Sequence, residues 1–275
     1  MMLQSRIFKN KALLISGAMI CLLLAAVICA PVLAPYDPLA ISLDTAKLPP
    51  GGSYLLGTDT LGRDILSRVL WGGRVSLLIG VAATLLSLAA GLAAGLMAGY
   101  FGGKIDTACT MVVDLFLAFP SLLLAIGISV LMPPGLLATV IALGAVGWAS
   151  FARLFRGLAL SCRENVFIDA ARAIGCSHLR IIAVHILPQC APLVLVAASL
   201  KVGSFILAES ALSFLGLGVQ PPDPTWGSMV SLYRNYLPSA PWMVIFPGGA
   251  IALTVLAFNL FGDALRDRLD PKLKL

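Results

Sequence analysis

The chain has 275 residues, 59% of them hydrophobic and only 12% charged, with a mean hydropathy of +0.98. A soluble domain of this length carries about a quarter charged residues, so that class is excluded. The net charge of +6 belongs to a membrane protein and is no argument for a nucleic-acid partner.

Continuous apolar runs of about 20 residues, the length that crosses a bilayer as a helix, exclude the alternating pattern of a barrel. Six transmembrane helices are expected, near 12–34, 75–100, 107–131, 136–155, 186–215 and 242–260. Arg6, Lys9 and Lys11 precede the first run as they would in a secretory signal. The run is longer than a signal's apolar region, however, and Pro31 directly follows the tempting site at Ala30, so an uncleaved helix is expected.

The outer segment 35–74 begins PYDP, passes through PPGG and reaches GTDTLGRDILSRVLWGGR. Thr58 or Asp59 is placed to cap a short helix whose Leu61, Ile65, Leu66, Val69 and Leu70 share one side. Arg63, Asp64 and Arg68 then face away, and the helix lies on the outer leaflet. Residues 1–74, a transmembrane helix and an outer segment, are accordingly set apart from a transmembrane domain at 75–275.

Span two carries Gly91, Gly95, Gly99 and Gly103, one every four residues, which makes a groove where another helix backbone can approach. Span three holds Asp106 and Asp114, and span five holds Lys201 and Glu209. Charges at such depth must face protein or water. Lys201 is expected to point into a cavity or toward an acidic residue such as Asp114, and Asp114, Lys201 and Glu209 are candidates to line a polar path through the membrane, with interhelical hydrogen bonding as the alternative. Pro188 and Pro192 mark the start of span five, as a hinge or a simple helix start. The loop 216–241 has a PPDP core and Trp226, Tyr233, Tyr236 and Trp242 at interfacial positions.

With the N-terminus inside, thirteen Lys and Arg lie in inner flanks (Arg6, Lys9, Lys11, Lys104, Arg153, Arg156, Arg163, Arg172, Arg180, Arg266, Arg268, Lys272, Lys274) and five in outer ones (Lys47, Arg63, Arg68, Arg74, Arg234). That asymmetry puts both termini in the cytoplasm. The six cysteines form no C-x-x-C pair and read as small apolar fillers. His178 and His185, the two histidines, read as structural, with no metal site.

The inner segment 153–185 carries five Arg with Glu164 and Asp169. Ala170, Ala171, Ile174 and then Leu179, Ile182 and Ala183 recur at helical spacing, interrupted by Gly175, which predicts two short helices meeting at a glycine. Such a piece is too short for a domain and too apolar on one face for water. It asks for a partner with a groove.

Asp169-Ala170-Ala171, then Gly175, then His185-Ile186-Leu187-Pro188 resembles the cytoplasmic EAA motif of permeases in ATP-binding cassette (ABC) importers. LGTDTLGRDILSRVLWGGRVSL, DLFLAFPSLLL, SFLGLGVQPPDPTWG and FNLFGDALRDRLDPKL resemble the second permease of dipeptide, oligopeptide and nickel importers. The resemblance implies an all-α integral membrane protein with the type I ABC importer (MetI-like) permease fold. It further implies that residues about 165–182 form a coupling helix docking on an ATPase subunit. The partners it implies are a homologous permease in a heterodimer, two ATPase subunits that bind ATP and Mg, an extracytoplasmic solute-binding protein and the lipid of a bacterial inner membrane.

The residues agree on one point: the nearest approach to G-x-x-x-x-G-K-[ST] is Gly102-Gly103-Lys104-Ile105, which lacks the first glycine and the hydroxyl. No cofactor is expected in this chain. An intramembrane protease would need a nucleophile and base at depth, yet no histidine lies well inside a span, and Asp106 and Asp114 share one helix. An ion channel would leave the docking segment without a role. Di- or oligopeptide cargo is favoured over nickel, because the spans offer no ligand set for the metal.

Overall fold

The computed structural model describes residues 2–269, with side chains from Lys11 onward. Arg6, Lys9, Lys272 and Lys274, used above for topology, lie outside the described side chains. Helix α1 (Met2–Ile28) is followed by the single turn α2 (Ala30–Leu33) and, after the outer segment, by α3 (Ile65–Phe101). Then come α4 (Gly103–Ala118), α5 (Ser121–Val130), α6 (Leu136–Arg163) and the short α7 (Val166–Ala173). The turn α8 (His178–Arg180) runs through a π-helical stretch, Ile181–Ile186, into α9 (Leu187–Phe214), and α10 (Trp226–Tyr233) and α11 (Trp242–Leu269) follow.

Among the described residues, five helical stretches are long and apolar enough to cross a membrane unaided, and α4 with α5 makes a sixth as a pair bent by 90°. The expected straight span at 107–131 is therefore broken. Phe119 takes extended angles (φ −91°, ψ 144°), because the ring of Pro120 disfavours helical geometry in the residue before it. The fifth span begins at His178 instead of residue 186, since α8, the π stretch and α9 are continuous. Pro188 has no N–H with which to close an α-turn, and the Leu187 N–H reaches five residues back to the Ile182 carbonyl.

The second span also starts earlier than expected. Ile65 opens a helix of 37 residues, about 55 Å at 1.5 Å per residue, which runs without a break through position 74. The expected separate interfacial helix is the first part of this rod. Asp64 caps it, its Oδ2 accepting from the Ser67 N–H at 2.8 Å and the Ser67 hydroxyl at 2.6 Å.

Helix α3 lies along α6 with almost no separation. A Cβ at Gly91 would fall 2.6 Å from the Trp148 carbonyl oxygen, and one at Gly99 2.6 Å from that of Arg156. At Gly95 it would collide with the Ala152 carbonyl. The groove of span two is thus filled by another helix of this chain, and Ser87 adds a hydrogen bond across the seam to the Gly144 carbonyl at 3.0 Å. Gly103 is not part of it. Nothing lies within 4 Å of its Cβ position, and with Gly102 (φ 68°) it supplies positive φ (55°) for the turn from α3 into α4, a conformation glycine adopts without steric cost.

At the outer end the expectation for the charged residues is overturned. Arg63, Asp64 and Arg68 are buried, together with Thr58 and Asp59. Asp59 Oδ2 lies 2.7 Å from Arg63 Nε and 3.6 Å from Arg68 Nε, and it accepts from the Tyr233 hydroxyl of α10 at 2.7 Å. Arg63 donates to the same hydroxyl at 3.1 Å, and Arg68 to the Pro38 carbonyl at 2.9 Å. Charges leave water only when paired and hydrogen-bonded, and here Asp59 comes from the same loop while Tyr233 and the Pro38 carbonyl come from distant parts of the chain. Burial depresses the Arg63 guanidinium, but Tyr233 and Asp59 outweigh it and hold it above its ordinary value. Burial, followed by the negative charge of Asp59, pushes the Tyr233 phenol up to about 12. Tyr233 therefore stays protonated and donating through the neutral range. The indole of Trp242 donates to the Thr58 carbonyl at 3.1 Å, fastening the start of α11 to the same loop.

Because the α3–α6 contact is backbone against backbone, a branched side chain at its centre has nowhere to go. Gly95→Val is expected to destabilise the protein by about 1–3 kcal/mol or more, read as a lowered thermal midpoint in detergent. Gly103→Ala, off the seam, is expected to show only the smaller strain of its positive φ.

Candidate functional site: the glycine-split segment and the polar groups of the spans

Helix α7 ends in a Schellman arrangement around Gly175. The Cys176 N–H reaches the Ala171 carbonyl and the Gly175 N–H that of Arg172, both at 3.0 Å, with Gly175 at φ 80°, the left-handed geometry this cap requires. Ser177 then caps α8, accepting from the Arg180 N–H. The two short helices meet at a glycine.

The segment has two faces. Ile168, Ala171, Ile181 and Ile186 are buried in one cluster with Leu96 and Tyr100 of α3 and Phe151, Phe155 and Ala159 of α6. The opposite face exposes Val166 (83%), Ile174 (80%) and Leu179 (80%). Asp169 and Ala170 lie on this exposed side, where Asp169 accepts from Arg172 at 3.1 Å. His185 and Leu187 are half-buried and Pro188 is exposed; these three fall in the π stretch and the first turn of α9, one element beyond the short helices.

Tyr100 joins this segment to α3. Its hydroxyl and His178 Nδ1 are 2.8 Å apart, the Arg172 guanidinium lies 5.6 Å from its ring centroid, and its carbonyl accepts from Arg163 at 3.4 Å. Neither Tyr100 nor His178 stood out in the sequence as a linking pair, since nothing local brings positions 100 and 178 together.

The charges within the spans are partnered in ways their spacing does not reveal. Arg156 grips Asp106 with two nitrogens, Nη2 at 2.7 Å from Oδ2, and Arg153 pairs with Asp114. Both arginines were assigned above to the cytoplasmic flank; they sit three apart on α6, one helix turn, which is the spacing that signals a shared face. Asp114 is thus engaged by Arg153, and the expected pairing of Lys201 with Asp114 does not occur. Lys201 donates to the Ser150 hydroxyl at 3.1 Å and lies 5.2 Å from the Phe205 ring centroid.

Lys201 lines a cavity of about 250 Å³ between the α4–α5 bend, α6 and α9. Phe116, Phe119 and Phe205 and the hydroxyls of Ser121, Ser150 and Ser204 share its wall. Glu209, two turns further along α9, lies elsewhere. It is fully buried, accepting from Ser213 at 2.7 Å, from Thr225 at 3.0 Å and from Ser76 at 3.5 Å. Ser76 in turn accepts from the Trp226 N–H at 3.1 Å, so this carboxylate fastens α10 and its loop to α3 and α9. Among the described residues, no three His, Cys, Asp or Glu side chains converge as metal ligands.

Residues 91–275 match the family model described as "Binding-protein-dependent transport system inner membrane component". Residues 4–50 match "N-terminal TM domain of oligopeptide transport permease C". The chain is 44% identical to the di/tripeptide transport system permease protein of Pseudomonas aeruginosa, over 89% of this chain and 83% of that protein. It is 43% identical to the dipeptide transport system permease protein of Alkalihalophilus pseudofirmus, over 97% and 88%. Among solved structures, the MetNI methionine ABC transporter in an inward-facing conformation superposes with a TM-score of 0.59 at 19% identity, over 71% of this chain and 93% of that one, a likeness of fold. The chain is thus a multi-pass membrane protein with the type I importer permease fold, and it belongs to the family of inner-membrane components of binding-protein-dependent transport systems.

Proposed function

We propose that this chain is one of two permease subunits of an ABC importer that carries di- or oligopeptides across the bacterial cytoplasmic membrane. The observation that carries the reading is the two-faced cytoplasmic segment. Its inner face is hooked into the ends of α3 and α6, and its outer face offers Val166, Ile174 and Leu179 to a groove. A coupling element needs both properties, because a force delivered on one side must reach the spans on the other.

In this reading two ATPase subunits bind and hydrolyse ATP with Mg inside, while this chain performs no covalent chemistry. Asp169, Ala170, Ala171 and Gly175 shape the docking helix, and His185, Leu187 and Pro188 set the join between it and α9. ATPase closure pushes the segment, and the Tyr100–His178 contact passes the displacement to α3. Through the Gly91, Gly95 and Gly99 seam, α6 moves with it.

A homologous permease completes the path as a heterodimer, and an extracytoplasmic solute-binding protein delivers cargo to the outer face. Residues 1–74 provide an anchor and the outer cap, and 75–275 the permeation domain, with both termini in the cytoplasm. Lys201 lines the path. Glu209 acts as an internal fastener of α10, and Asp114 holds α4 to Arg153 of α6. Peptide cargo is preferred to nickel because the named relatives are peptide permeases and the spans present a lysine where a metal cation would pass.

Two variants test the coupling. Leu179→Glu places a charge on the apolar docking face and is expected to reduce co-purification of the ATPase subunit at least tenfold; undiminished co-purification overturns the docking assignment. Tyr100→Phe removes one hydrogen bond inside an otherwise intact cluster. It is expected to leave the complex assembled while import per ATP hydrolysed falls several-fold, and unchanged coupling would sink the role given to this pair.

A further inference from the structure

The geometry points to the Lys201 cavity as a transit site for the carboxylate end of the peptide, an inference that rests on the peptide-importer reading above. Lys201 sits at the middle of the 28-residue α9, where a cation faces a cavity or a counter-charge. Among the described residues no carboxylate lies within 4 Å of its ammonium, because Arg153 and Arg156 engage Asp114 and Asp106. Its hydrogen-bond partner is a neutral hydroxyl, Ser150, which donates onward to the Gly147 carbonyl at 2.8 Å. Two of the three ammonium protons are left for the cavity.

The chemistry of the wall selects the ligand class. One positive charge among hydroxyls and phenyl rings attracts a carboxylate and repels a metal cation or an ammonium end. A linear peptide carries a terminal carboxylate whatever its side chains, so one lysine grips every sequence alike. Lysine suits a transit site better than arginine. Its ammonium is a compact, strongly hydrated point charge that does not clamp both carboxylate oxygens in a fixed fork, and passage requires a grip weak enough to release. The bend at Phe119-Pro120 makes room for the ligand: with α4 and α5 turned by 90°, Phe119 and Ser121 line the cavity in place of a continuous helix face.

The test uses the assembled importer, this chain with its second permease, ATPase subunits and binding protein, in proteoliposomes with a radiolabelled dipeptide. Lys201→Met is expected to co-purify with its partners as the wild type does and to import about ten- to a hundredfold more slowly, the range for loss of a charged hydrogen bond. Lys201→Arg, which keeps the charge, is expected to remain within several-fold of wild type. A water-soluble carbodiimide added during turnover is expected to join the labelled dipeptide to Lys201 by an amide bond, with loss of the carboxylate oxygen to the reagent as a urea. Import by Lys201→Met at the wild-type rate overturns the inference, as does carbodiimide linkage of Lys201 to the second permease in place of the dipeptide. If the wild-type complex imports no peptide, the underlying reading fails instead.

Discussion

In lipid the hydrophobic effect no longer drives helices together, and what remains is close packing. The seam between α3 and α6 is built on that constraint. At Gly91, Gly95 and Gly99 the absence of a side chain lets one backbone rest against the other, with Trp148, Ala152 and Arg156 offering carbonyls to the contact. The result is a two-helix unit that packs like a solid, and the functional elements hang from its ends. Its outer end is fastened by Asp59, Arg63, Arg68 and Tyr233, and its inner end receives the cytoplasmic segment.

The two ends differ in the type of bonding they use. The outer cap is closed by buried ionic and hydroxyl contacts, in which loss of Asp59 leaves Arg63 and Arg68 without their counter-charge. Such an arrangement favours a single geometry. The inner end combines an apolar cluster with one hydrogen bond between Tyr100 and His178 and a run of special backbone: Gly102 and Gly103 after α3, Gly175 after α7 and the π stretch before Pro188. Glycine turns and π segments are where helices bend with little loss of packing. In the proposed orientation, a stiff outer face and a jointed inner one suit a device driven from the cytoplasm.

The number of spans and the glycine-split cytoplasmic segment were legible because each rests on local patterns, namely apolar run length, helical spacing and a left-handed cap. The glycine groove was legible through Gly99 and misleading at Gly103, since a four-residue repeat says nothing about where the helix stops. The break at Phe119-Pro120 was visible as a dipeptide that disfavours helix, yet the apolar run continues across it and masked the bend. The outer cap was the largest departure. Arg63, Asp64 and Arg68 were assigned to solvent by the ordinary preference of single charges, whereas Asp64 caps α3 through Ser67 and Arg63 meets both Asp59, four positions away, and Tyr233, 170 positions away. Long-range pairing of that kind leaves no periodic trace. The same holds for the arginines of α6 with Asp106 and Asp114, and for Lys201, whose neighbour proved to be a serine.

The central claim is that the exposed face of the cytoplasmic segment meets an ATPase subunit and moves with nucleotide. Cys176 packs partly against the inner cluster, so a reporter belongs at Leu179, which is 80% exposed. The most direct measurement is disulfide cross-linking from Leu179→Cys, with Cys176 replaced by serine, to single cysteines along the ATPase groove, with and without ATP. The account predicts an efficient cross-link whose preferred partner position shifts when nucleotide binds. A permease that assembles and imports while Leu179→Cys stays unlinked at every groove position would contradict it.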